Sequence, residues 1–71
     1  MRLSVKNIEW YVGLYNGISD LQISLDIAYG GYKLLTSDGY ELVPYRMTCR
    51  ECYYVVLGMY NAKIAEMRNA S

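Results

Sequence analysis

Three interruptions constrain what this chain can fold into: Gly30-Gly31, Ser37-Asp38-Gly39 and Pro44. Glycine tolerates left-handed backbone and proline donates no amide hydrogen, so regular elements tend to stop at such points. On either side lie segments whose apolar residues recur at steps of three and four, the spacing of one helical face. In the first, Ser4 is placed to accept from first-turn amides and Leu3 to pack on Ile8. Tyr11, Leu14, Ile18, Leu21, Leu25 and Ala28 then continue the face. The pattern predicts a helix over about residues 5–29, ended by the glycine pair.

Between the glycines and Pro44, Tyr32-Lys33-Leu34-Leu35-Thr36 and Tyr40-Glu41-Leu42-Val43 flank an Asp-Gly pair. That arrangement predicts a β-hairpin over about residues 32–43, with Pro44 closing the second strand. Thr48 and Glu51 then form a T-x-x-E capping box, with Met47 positioned to staple onto Cys52. Cys49, Tyr53, Val56, Tyr60, Ile64 and Met67 follow at helical steps, giving a second helix over about residues 49–69. The expected fold is α+β in one domain over residues 1–71: long helix, β-hairpin, long helix (αββα), with the helices packed together.

Composition adds a tension. Of 71 residues, 54% are apolar or aromatic and nine are tyrosine. A chain this short buries only about 60% of the surface it exposes when unfolded. That is more apolar surface than one small core can hide, so a homodimer or higher oligomer is expected. Val5, Val12, Ile23 and Ile27 would form a second apolar strip on the first helix, the natural place for another subunit. Gly13 and Gly17 join that interface as small residues four apart. A weak echo of the segment 11–17 at 56–62 repeats the spacing at Gly58 and Ala62. Close helix crossing would offset the cost of interior glycine.

Chemistry is sparse by comparison. The chain has no histidine, the commonest general base and metal ligand. Cys49-x-x-Cys52 at a helix start admits a thiol redox or zinc reading, since a helix N-terminus lowers a thiol pKa. Against this, no βαβ context surrounds it, and one pair supplies only two of the four ligands of a structural zinc site. Buried, reduced cysteine is the simpler expectation, and no cofactor is expected. Seven basic and seven acidic residues balance, which disfavours nucleic acid as a partner. The longest uncharged apolar stretch, Tyr53 to Tyr60, is far short of the ~20 residues of a membrane span. Met1-Arg2-Leu3 leads directly into patterned sequence, so no secretory signal is expected. The thiol and methionine content suits a reducing cytoplasm.

Tyrosine and arginine are enriched at binding hot spots, which makes Tyr40, Tyr45, Arg46, Arg50 and Tyr54 the candidate contact face. The run Gly30-Gly31-Tyr32, Leu35-Thr36-x-Asp38-Gly39-x-Glu41-Leu42, Arg46-Met47-Thr48, Tyr54 and Gly58-Met59-Tyr60 resembles small accessory proteins encoded by bacteriophages and prophages. That resemblance implies action by binding a host protein or signalling molecule, for example to block bacterial immunity or redirect a host enzyme, and it assigns no functional residues. The expected function is therefore a non-enzymatic, homo-oligomeric module that binds a host protein stoichiometrically in the host cytoplasm. One alternative is an oligomeric sponge for a nucleotide-like ligand, with tyrosines stacking and Arg46 or Arg50 taking phosphate. The other is thiol or zinc chemistry at Cys49 and Cys52.

Overall fold

A computed structural model describes residues 3–69 and shows helix, hairpin, helix: α1 (Val5–Ile18), β1 (Ile23–Ala28), β2 (Gly31–Thr36) and α2 (Cys49–Asn69). Ser4 is the N-cap of α1, where its backbone N–H donates to Asn7 Oδ1 at 2.9 Å and its hydroxyl to the same oxygen at 3.2 Å. The capping box of α2 is present as two reciprocal bonds. Thr48 N–H donates to Glu51 Oε1 at 2.9 Å, and Glu51 N–H to Thr48 Oγ1 at 3.2 Å.

The first helix ends eleven residues earlier than the periodicity suggested, at Ile18 rather than 29. Ser19 turns extended, and its side-chain oxygen accepts from Leu21 N–H at 3.1 Å, a local bond that competes with the helical ladder. Beyond it, Ile23, Leu25 and Ile27 alternate with Ser24, Asp26 and Ala28, the period of a strand. The hairpin is therefore β1 with β2, in antiparallel register from Ile23↔Thr36 to Ala28↔Gly31, instead of residues 32–36 with 40–43. Its two-residue turn is Tyr29-Gly30, and both have positive φ (52° and 70°), as a type I′ turn requires.

The Asp38-Gly39 turn also forms, with Gly39 at φ 91° and Gly39 N–H donating to Thr36 O at 3.0 Å. Its return limb stays ragged. Thr36 N–H reaches Tyr40 O, and Leu42 N–H reaches Leu34 O, but pairing lapses at Pro44 before Tyr32 and Met47 exchange bonds of 2.9 and 2.8 Å. The helices pack on one another, α1 also on β1 and α2 also on β2. Ile8, Tyr15, Ile23, Leu34, Met47, Cys52 and Val56 form the core between them. The molecule is flat, 42 × 33 × 17 Å. Its accessible surface of 4932 Å² exceeds the about 4,500 Å² usual for a folded monomer of this mass.

Candidate functional site

α2 sets out a groove. Arg50, Tyr53, Tyr54 and Leu57 are spaced three or four apart or adjacent, so they share one side of the helix, and Leu3 closes the groove from the segment before α1. The open groove has a volume of about 330 Å³. Tyr53 meets Tyr54 edge-on, with ring centroids 5.3 Å apart at 77°, and meets Tyr11 of α1 at 5.7 Å and 79°. Tyr11 in turn lies 5.8 Å from Tyr60. This row of four rings ties the groove wall to the helix–helix contact, a favourable arrangement for aromatic quadrupoles. Burial first, then the neighbouring Tyr11, raises the Tyr53 phenol above its ordinary pKa, so the ring presents a neutral hydroxyl.

Arg50 has no hydrogen-bond or ion-pair partner among the described residues. An unpaired guanidinium beside exposed Tyr54 can take an anion while the ring takes a flat apolar group. The groove offers no carboxylate and no thiol. Its polar side-chain groups are one guanidinium and two phenols.

The five residues of the anticipated contact face do not line one site. Arg50 and Tyr54 share the groove, whereas Tyr40, Tyr45 and Arg46 do not line it. Tyr40 and Tyr45 stand exposed on the ragged limb. Arg46 is engaged elsewhere as a strut on the outer face of the hairpin. Its Nη2 donates to Asp26 Oδ2 at 2.8 Å, and its Cζ lies 5.4 Å from the centroid of the Tyr29 ring. A Cβ on Gly31 would lie 2.8 Å from Arg46 Cβ, so glycine is what lets the strut cross β2. Beside it, Lys33 Nζ pairs with Glu41 Oε1 at 2.5 Å.

The anticipated oligomer strip is also redrawn. Ile23 and Ile27 belong to β1, so no second apolar strip runs along α1. Ile23 is buried in the chain's own core, Val5 and Val12 are half-buried, and Ile27 remains 53% exposed. Gly13 and Gly17 lie on the exposed side of α1, and a Cβ at either, or at Gly58, would meet nothing within 4 Å. The glycines therefore make no close crossing with α2. Two exposed aromatics lie outside the anticipated contact face. Trp10, 66% exposed, was detectable as an aromatic off the apolar stripe of its helix. Tyr29, 95% exposed, carried no signal because its surroundings read as helix.

Cys52 lacks the setting of a reactive thiol, while Cys49, the first residue of α2, is half-buried. Cys52 is fully buried, and burial, with a lesser contribution from Cys49, pushes its thiol up to about 11. Burial, then Cys49, likewise raises Tyr32. Among the described residues no group of three or more histidine, cysteine, aspartate or glutamate side chains could hold a metal ion. None of the helices described is long and apolar enough to cross a membrane. Set against known proteins, the chain matches no family model, no curated protein and no solved structure.

Proposed function

We propose that this chain is a non-catalytic, self-associating binding module that acts by stoichiometric contact with a protein partner. One observation carries the reading. Among the described residues nine large apolar or aromatic side chains stand exposed, while seven apolar side chains form the core. Scattered apolar groups are normal on a surface, but a balance tilted outward is characteristic of proteins completed by company. Arg50 and Tyr54 at the groove supply the residue types that dominate contact energy. The resemblance to phage-encoded accessory proteins directs the search to a bacterial host protein, which the chain would inhibit or redirect.

The test is quantitative capture from bacterial cytosol by the immobilised chain, beside an Arg50→Ala/Tyr54→Ala variant with unchanged circular dichroism. The reading expects one protein retained in fixed ratio by the native chain and lost from the variant. Equal retention by both would remove the groove as the contact. A second reading, sequestration of a nucleotide-like anion, is favoured by the unpaired Arg50 guanidinium among aromatic rings. It expects nucleoside monophosphates to raise the melting temperature of the native chain and leave that of Arg50→Ala unmoved.

A further inference from the structure

The hairpin leaves one edge open, and its dimensions are unusually well defined. Tyr32 N–H and C=O, Leu34 C=O and Thr36 N–H bond to the ragged limb, so Gly31, Lys33 and Leu35 are the β2 residues that bond to β1. By register their partners are Ala28, Asp26 and Ser24, which turns the N–H and C=O of Ile23, Leu25 and Ile27 away from β2. Ile23 is capped: its N–H donates to Asn16 Oδ1 and its C=O accepts from Asn16 Nδ2, both at 2.8 Å. Leu25 and Ile27 keep two N–H and two C=O groups with no partner among the described residues. The strand carries no proline and no lysine, the usual guards of such an edge.

We infer that this edge pairs with the same edge of a second copy, antiparallel, with the twofold axis at Asp26. The inference rests on the self-association part of the proposed function and deepens it. In that register Leu25 faces Ile27 of the other copy on both sides of the axis, and all four free groups of each chain are satisfied by four hydrogen bonds. The side chains of the same residues form two apolar cross-strand pairs, which cover the half-exposed Ile27. Neighbouring registers do worse. A shift toward Ile23 collides with the Asn16 cap, and a shift the other way sets Leu25 against Tyr29, whose left-handed backbone cannot continue a strand.

The matched register places the two Asp26 side chains opposite one another, an unfavourable pairing for bare carboxylates. Each arrives with its own Arg46 at 2.8 Å and lies across from Lys33 in the intrachain ladder, so cations flank the pair. Asn16 reaches the outer edge of β1 from α1, so α1 stands over that edge. Tyr11 touches α2, and Gly13, two residues on, lies about 200° round the helix, on the side away from α2. A second α1 would approach on this side, where the missing Cβ of Gly13 leaves room.

Sedimentation equilibrium from about 10 µM to about 1 mM tests the inference. The native chain should pass from 8.2 kDa to twice that mass. Ile27→Pro removes only an outward N–H, and Ile27→Lys guards the edge by charge. Each should weaken the dimer at least about tenfold, as should Gly13→Leu. Oxidation should cross-link Asp26→Cys to itself, because that residue forms a non-hydrogen-bonded pair across the axis. Ser24→Cys and Ala28→Cys should cross-link only when mixed, and the native chain gives the background from Cys49. A dimer that persists unchanged in both Ile27 variants overturns the edge and leaves self-association standing. A chain that stays at 8.2 kDa throughout, with no Asp26→Cys cross-link, overturns both.

Discussion

Asn16 is a side chain doing the work of a strand, and its removal should be among the costlier single polar substitutions in this fold. Its amide makes two bonds of 2.8 Å to the backbone of Ile23, whose residue is only 4% exposed. Asn16→Ala leaves a nearly buried donor and acceptor unpaired. Two such bonds are worth about 1–3 kcal/mol together. Alanine returns roughly 0.5 kcal/mol of helix propensity. The net loss should be about 0.5–2.5 kcal/mol, or roughly 2–20 °C in melting temperature for a domain of this size. Urea unfolding followed by circular dichroism measures it, with Asn61→Ala on the exposed side of α2 as the control that gains propensity and loses nothing. Asn16→Asp sharpens the point. A neutral carboxyl can both accept from Ile23 N–H and donate to Ile23 C=O, whereas a carboxylate would face that carbonyl with charge. The introduced group should have a raised pKa in the folded state, so the variant should gain stability as pH falls. An Asn16→Ala chain as stable as Asn61→Ala would refute the account of α1 holding the start of β1.

Other outcomes follow from the same packing. Gly58→Ala should stabilise the chain by about 0.5–1 kcal/mol in urea unfolding, because the position is helical and the added Cβ meets open space. Gly31→Ala should do the opposite, by about 1–3 kcal/mol, since its Cβ would press on Arg46 Cβ and the strut must shift. For Cys52 the folded pKa lies above the ordinary value of 9.0, so the stability from keeping the thiol neutral is fully present below pH 9 and is lost as pH rises toward about 11. Tyr32 and Tyr53 are raised too and act in the same direction at higher pH. Melting temperatures should therefore hold up to pH 9 and fall above it; a flat profile to pH 11 would contradict the burial of these groups.

The second helix was legible because its signals are local: a capping box bonded within four residues, then one apolar stripe. The end of the first helix was not. Leu21, Leu25 and Ala28 continue a helical spacing, while Ile23, Leu25 and Ile27 satisfy a strand spacing, and Leu25 serves both. What decides between them is the register with Leu34 and Tyr32, a contact no short window contains. The same holds for the site. Arg50 and Tyr54 are one helical turn apart, so their juxtaposition could be read once α2 was placed. Arg46 could not be assigned, because its partners Asp26 and Tyr29 lie in the stretch that reads as helix. The Asp-Gly turn was real, yet a turn fixes only where a chain reverses; Pro44 and the bulging residues after it decided how much ladder followed.

Three residues lower the stability of the single chain. Gly13 and Gly58 sit in helix interiors against open space, each at about 1 kcal/mol relative to alanine. Tyr29 holds a left-handed backbone at φ 52°, where a side chain of its size costs on the order of 1–2 kcal/mol, and its exposed ring lies against Arg46. For a domain of 71 residues the whole folding free energy is about 4–10 kcal/mol, so these positions together take a large share. A chain shaped only by its own folding would carry alanine, alanine and asparagine there. The proposed association would place the compensating interactions outside the chain, and the expectation on that proposal is a trade-off. The Gly13→Ala/Gly58→Ala/Tyr29→Asn variant should unfold at higher urea than the native chain and associate, with itself or its partner, more weakly. A variant that is both more stable and equally associative would show that these residues answer to no contact at all.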